Sequence, residues 1–233
     1  MNETKPINTV ASVSSMKMLQ AMVGIGIFCA LMIVLTYEGT LPRIEQLRTE
    51  ALEKAIFKVI PGITKTETYQ LNENKSFSPV ESKEAKGQVV YAGYDENNKL
   101  VGVAVEASGQ GYADILRILY GYDPEAQKII GFYVLESKET PGLGDKIEKD
   151  PNFLENFKAL DVSLSDGLNA LKNKVIPVKN GAKENPWEVD CITGATISSR
   201  AIGNIMGAST EQWVPLIYNN KETFESKKSE INQ

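Results

Sequence analysis

The run MLQAMVGIGIFCALMIVLTY, residues 18–37, constrains this chain more than any other feature. About 20 residues pass without a charge, with Gln20 the one amide, and an α-helix of that length spans the hydrocarbon core of a bilayer. A cleaved leader has a shorter apolar region and a small-residue cleavage pattern, which Glu38-Gly39-Thr40-Leu41-Pro42 does not offer. The run therefore predicts an uncleaved anchor over residues 17–38, behind an N-terminal tail over 1–16. The flanking charges do not orient it: Lys5 and Lys17 precede the run, and Arg43, Arg48 and Lys54 follow it.

Residues 43–59 predict a second helical segment. Ile44, Leu47, Leu52, Ala55, Ile56 and Val59 form a rough apolar face, and Pro61-Gly62 stops it. A linking helix is thus expected over 39–62, a body over 63–218 and a polar C-terminal tail over 219–233. Residues 64–86 read as a strand plus loops. In the body, GYDENNKLVGVAVE (93–106) echoes GYDPEAQKIIGFYVLE (121–136), each with a strand end, a polar turn and an apolar β-rich run. Two hairpins of one antiparallel sheet account for this. A short helix is expected over 151–160, short strands over 175–179 and 187–192, and a helix over 197–213 with Ile197, Ile202, Ile205 and Met206 available for packing. The fold class is α+β: one transmembrane helix, then a domain with a mostly antiparallel sheet and flanking helices.

Composition excludes several chemistries. Net charge is −5 with no basic stripe, which argues against a nucleic-acid partner. Histidine is absent, so neither a Ser/His/Asp nor a Cys/His catalytic set can form. Cys29 and Cys191 make neither an expected disulfide nor a metal site. The glycines match no dinucleotide fingerprint or P-loop. No catalytic side chain and no metal ligand is assigned; any catalytic chemistry must come from other residues or from a bound cofactor.

The stretch DCITGATISSRAIG, 190–203, places a hydroxyl-rich turn between a strand-like and a helix-like run. The plain reading is a helix cap, with Gly194 permitting the turn. A second reading is available because an anion at a helix N-terminus is stabilised by free N–H groups and by the helix dipole. A phosphate on Thr196 would sit in that field.

These residues, Asp190, Thr193, Gly194, Ala195 and Thr196, match without departure the Asp-x-x-Ser/Thr-Gly-Ala-Thr flavinylation motif. The chain thus resembles the FMN-binding G subunit of the Rnf electron-transport complex and the related C subunit of the sodium-pumping NADH:quinone reductase. The resemblance implies that Thr196 carries FMN through a phosphoester, attached by a separate magnesium-dependent flavin transferase with FAD as donor. A second motif supports it: Glu139, Thr140, Pro141, Gly142, Leu143 and Gly144 match the family's Glu-Thr-Pro-Gly-Leu-Gly loop. Two glycines and a proline make a tight loop whose backbone can approach a ligand closely. The family often has His two residues before that Glu; here Ser137 stands. The Asp-Lys-Ile that follows is closer to the Rnf protein.

What the resemblance implies is a membrane-anchored electron-transfer subunit of an ion-translocating ferredoxin:NAD oxidoreductase, with its FMN domain on the outer face of the cytoplasmic membrane. Its partners would be the other subunits of the complex. The alternatives are the equivalent quinone reductase subunit, or a non-redox membrane-anchored binding module in which Thr196 is only a cap. Tyr112, Arg117 and Trp187 are further candidates to approach a flavin, and Lys146 and Lys174 to meet a phosphate; packing is the default reading for the first three and solvation for the two lysines.

Overall fold

The computed structural model describes residues 15–81 and 87–225. Most of the tail expected over 1–16, including Lys5, lies outside these residues, as do 226–233. One helix, α1 (Ser15–Val59), runs for 45 residues. The anchor and the linking helix, expected as two elements, are continuous through Pro42. The helix is long and apolar enough to cross a membrane, and its apolar window is unburied. The hydroxyls of Thr36 and Thr40 donate to the carbonyls of Met32 and Thr36 one turn earlier, so neither is left unpaired.

By its contacts the chain divides after Glu50. The second unit begins with the last turns of α1 and continues with β1 (Lys65–Leu71), β2 (Phe77–Pro79), β3 (Val89–Tyr94), β4 (Leu100–Gln110), β5 (Ile115–Asp123), β6 (Lys128–Glu136) and β7 (Leu160–Asp161). These seven strands form one sheet in the order β2-β1-β3-β4-β5-β6-β7, and every pair is antiparallel. The two echoing segments are the hairpins β3–β4 and β5–β6.

The period of two along each strand sends alternate side chains to opposite faces. Val103, Val105, Ile118 and Tyr120 face one core, while Ala104 and Leu119 face a smaller one built on Ala55, Ile56, Val59 and Ile60. The echo has a packing cause on that second face. Gly93 pairs with Gly102 and Gly121 with Gly131 across the hairpins. A Cβ on Gly121 or Gly131 would strike the carbonyl of Val59, and one on Gly93 would lie 2.8 Å from Ile63 Cγ2. The glycines leave a trough for the end of α1.

Between β6 and β7 lie α2 (Lys146–Lys149) and α3 (Pro151–Glu155). Asp150 caps α3, accepting from the N–H groups of Asn152 and Phe153. The remaining strands, β8 (Ile176–Val178) and β9 (Glu188–Asp190), form a separate parallel pair. Then α4 (Thr196–Asn219) packs on the larger core through Ile202, Ile205, Met206, Val214 and Ile217. Ile197, expected to pack with them, is 59% exposed. Five residues before Ile202 place it about 140° round the helix, off the buried stripe.

The chain ends its described course in α5 (Lys221–Glu225). These residues were expected in a polar tail, yet Phe224 is fully buried against Tyr69 and Phe77, with centroids 4.9 and 5.1 Å away. Tyr94 Oη donates to the Phe224 carbonyl at 2.8 Å. The core therefore reaches past residue 218, because one aromatic in an otherwise polar segment is enough to dock it.

Candidate functional site

Strand β9 delivers the chain to the 190–196 turn, and buried Asn156 holds its end. Asn156 Oδ1 accepts from the Asp190 N–H at 3.0 Å and its Nδ2 donates to the Asp190 carbonyl at 3.2 Å. The Asp190 carboxylate accepts from the Gly181 N–H, at 2.8 and 3.1 Å to its two oxygens. Asp190 thus pins the β8–β9 connection. At Gly194 the backbone takes φ +85°, a left-handed conformation that excludes most side chains. Ser199 closes the turn: its Oγ accepts from the Ile192 N–H at 3.1 Å and donates to the Ala195 carbonyl at 2.9 Å.

Thr196 is the first residue of α4 and not its cap. The capping position is Ala195, which has no polar side chain to offer. The Thr196 hydroxyl makes one long bond, 3.4 Å to the Ile192 carbonyl. Among the described residues the N–H groups of Thr196, Ile197 and Ser198 have no acceptor, as the first turn of an uncapped helix requires. Four hydroxyls fall between residues 193 and 199, and burial separates them. Ser198 is 3% exposed and Ser199 fully buried, whereas Thr193 and Thr196 are exposed. The thiol of Cys191 is buried and pushed up by that burial, so it offers no thiolate beside the turn.

The 139–144 loop forms the facing wall. Its anchor is Glu139, a buried carboxylate. Oε1 accepts from the Tyr112 and Ala113 N–H groups at 2.8 and 3.1 Å, and Oε2 accepts from Ser198 Oγ at 2.6 Å. Ser137, which stands where the family often has His, accepts from the Glu139 N–H through its Oγ. Gly144 is required by the chain itself: an added Cβ would lie 2.6 Å from Glu139 Oε2 and 3.0 Å from Ser198 Oγ. The close approach expected toward a ligand is, at Gly144, an approach to this pair. Gly142 takes φ +79° with open space around it.

Together these elements enclose a cavity of about 370 Å³ lined by Tyr112, Glu139, Thr140, Leu143 and Gly144 on one side and residues 194–198 on the other. Two motifs far apart in sequence thus become two walls of one space. Gly194, Ala195 and Thr196 line it; Asp190, Thr193 and Gly142 do not. Tyr112 and Leu143, 64% and 53% exposed, and Ile197 give it an apolar rim. Arg117 lies elsewhere, paired with Glu106 at 2.7 Å and Glu136 at 3.4 Å. Lys174 pairs with Glu211 at 2.8 Å. Trp187 is half-buried away from the cavity. Ile197 and Ser198 were missed as wall residues, although adjacency to Thr196 was a signal. A second cavity of about 520 Å³ shares the wall of Thr196 and Ile197 and includes Arg200 and Asn204. Their spacing from Thr196, four and eight residues, places all three on one helix face.

The free N–H groups at the start of α4 suit an anionic group, and the apolar rim suits a flat ring. Residues 111–210 match the family model of the FMN-binding domain, a span that includes both motifs. The G subunit of an ion-translocating oxidoreductase complex from Methanosarcina acetivorans is 28% identical over 200 residues, covering 84% of this chain and 92% of the relative. Its counterpart from Haemophilus influenzae is 24% identical over 215 residues, covering 89% and 92%. The G subunit of the proton-translocating ferredoxin:NAD(+) oxidoreductase complex of Clostridium ljungdahlii is 31% identical over 117 residues, 50% of this chain and 56% of that one. Among solved structures, the C subunit of the Na(+)-translocating NADH-quinone reductase from Parabacteroides distasonis superposes with a TM-score of 0.59 at 22% identity, covering 75% of this chain and 96% of that chain. That likeness is one of fold. The resemblance read from the two motifs is borne out.

Proposed function

We propose that this chain, with its FMN-binding domain and, among the described residues, one helix long and apolar enough to cross a membrane, is an electron-transfer subunit that carries FMN on Thr196 within an ion-translocating ferredoxin:NAD oxidoreductase of the Rnf type. The observation that carries this reading is the state of Thr196. Its exposed hydroxyl stands at the start of α4, beside three N–H groups without acceptors among the described residues, on the wall of the cavity closed by the 139–144 loop. When bound, FMN supplies reversible electron transfer, chemistry that belongs to the cofactor and that the protein only positions and tunes.

The protein's own residues hold and shield. Thr196 Oγ would hold FMN as a phosphoester, the flavin transferase supplying it from FAD with AMP as the leaving group and the hydroxyl proton passing to solvent. The neighbouring hydroxyls do not compete equally: Ser198 is held by Glu139 and Ser199 by the turn backbone. Tyr112, Leu143 and Ile197 offer apolar surface at the cavity mouth for a bound ring to cover. In this reading the domain lies on the outer face of the cytoplasmic membrane, with the flavin transferase acting there and the other subunits of the complex as redox partners. Protease added to intact spheroplasts then digests it; protection until lysis reverses the orientation.

The test of attachment is a denaturing gel of the full-length chain made with a flavin transferase. The band fluoresces under ultraviolet light and peptide mapping finds FMN on Thr196; Thr196→Ala is dark. A fluorescent Thr196→Ala band overturns the assignment. The fold likeness to the sodium-translocating quinone reductase protein favours a second reading, the equivalent position in such a complex. The subunits that co-purify decide between the two.

A further inference from the structure

Lys146, the first residue of α2, reaches toward the turn that precedes Thr196. Its Nζ lies 4.0 Å from the position a Cβ would take on Gly194. Gly194 has no such atom, so the ammonium and the turn face one another across open space. Lys146 is half-buried, and among the described residues it makes no ion pair. Of the other lysines of this domain, Lys138, Lys149 and Lys174 are paired, with Asp114 at 2.5 Å, Asp145 at 2.6 Å and Glu211 at 2.8 Å, while Lys128, Lys172 and Lys179 are, like Lys146, without an ion pair among the described residues.

The acids beside Lys146 are engaged elsewhere. Asp145, its neighbour in sequence, is held by Lys149 and accepts from the Gly142 N–H at 2.7 Å. Glu139 has its carboxylate filled by three donors. An ammonium next to the positive end of the α4 dipole, in no ion pair among the described residues, favours the arrival of an anion. A phosphodiester on Thr196 bears one negative charge and answers both.

The geometry points to Lys146 as the counter-ion of the FMN phosphate, a residue that binds the phosphate and not the ring. This rests on the reading of FMN at Thr196 given above. It also explains why Gly194 suits its position twice over: the backbone is left-handed there, and a side chain would stand between the ammonium and the turn.

The full-length chain, purified in detergent from cells without a flavin transferase, is titrated with FMN and with riboflavin, which lacks the phosphate. The wild type binds FMN more tightly than riboflavin. Lys146→Met weakens FMN by about tenfold, the scale of one hydrogen bond to a charged group, and leaves riboflavin unchanged. Lys146→Gln, which keeps a polar end, behaves like Lys146→Met, and Lys146→Arg retains most of the preference. Lys174→Met, in a pair away from the cavity, changes nothing. Added salt erodes the FMN preference of the wild type and not of Lys146→Met. A Lys146→Met chain that keeps the wild-type preference, or a wild type that has none, overturns the inference. Absence of FMN on Thr196 after maturation with the transferase defeats covalent attachment instead, and leaves the comparison of FMN with riboflavin to decide Lys146.

Discussion

Ser198 Oγ donates to Glu139 Oε2 at 2.6 Å, and both residues are buried. This bond joins the first turn of the long C-terminal helix to a loop 59 residues earlier. Because the other carboxylate oxygen holds the Tyr112 and Ala113 N–H groups, one side chain sets the spacing of three segments around the cavity.

Glu139→Ala leaves two backbone donors and a buried hydroxyl without their acceptor. The buried Ser198 hydroxyl is the costly one, at about 1–3 kcal/mol, while water replaces the carboxylate at the exposed Tyr112 and Ala113, so a net loss of about 2 kcal/mol is expected. Glu139→Gln keeps an acceptor for the backbone and loses about 1 kcal/mol. Urea unfolding followed by tryptophan fluorescence measures both, since Trp213 is buried in the core. Equal midpoints for Glu139→Ala and wild type would show that this carboxylate supports nothing.

The two loop glycines are predicted to fail for different reasons. Gly144→Ala places a Cβ 2.8 Å from Glu139 Cβ, which cannot swing away, and is expected to cost about 1–3 kcal/mol. Gly142→Ala meets nothing within 4 Å but must adopt φ +79°, for about 1 kcal/mol. The distinguishing measurement is flavin attachment. Gly144→Ala displaces Ser198 and lowers the FMN yield, whereas Gly142→Ala changes stability with little change in yield.

Phe224 is predicted to be a core residue despite its polar surroundings. Phe224→Ala removes a fully buried ring packed on Tyr69 and Phe77, with an expected loss of about 3–5 kcal/mol. Truncation after Asn219 should do the same, and would also free the Tyr94 hydroxyl from the Phe224 carbonyl. A truncated chain with the wild-type urea midpoint would place the domain boundary back at 218.

Acid should destabilise the domain. A hydrogen bond from Lys138 holds the Asp114 carboxyl below the usual carboxylate range, one from Lys149 does so for Asp145, and the Asn185 side chain leads for Glu188. Each group has a lower folded than unfolded value, so the unfolded chain takes up protons first as pH falls. The stabilisation is complete above the unfolded values and declines below them, between about pH 5 and pH 3. Urea midpoints measured across that range at constant ionic strength should fall steadily; a flat profile would contradict the three pairings.

Much of the fold was legible because period and turn chemistry are local. The two echoing segments read as hairpins from alternation and polar turns, and both formed. The echo's meaning was not legible: that Gly121 and Gly131 pair and leave room for Val59 depends on a helix end far away in sequence. Ile197 was misplaced for a related reason. Apolarity says what can be buried, but only the phase of the helix against the sheet says which face is.

The sequence by itself determined a membrane-length apolar run, an α+β body, and two motifs whose residue types suit an anion and a close-packed loop, since those follow from length, periodicity and side-chain chemistry. It left Thr196 open between cap and attachment point. Tertiary structure decided that the cap position falls to Ala195, that Ser198 and Ser199 are buried while Thr196 is exposed, and that Lys146 faces the turn with no ion pair among the described residues. Burial, unpaired donors and uncompensated charge are properties of what surrounds a residue, and those surroundings come from segments that only the folded chain brings together.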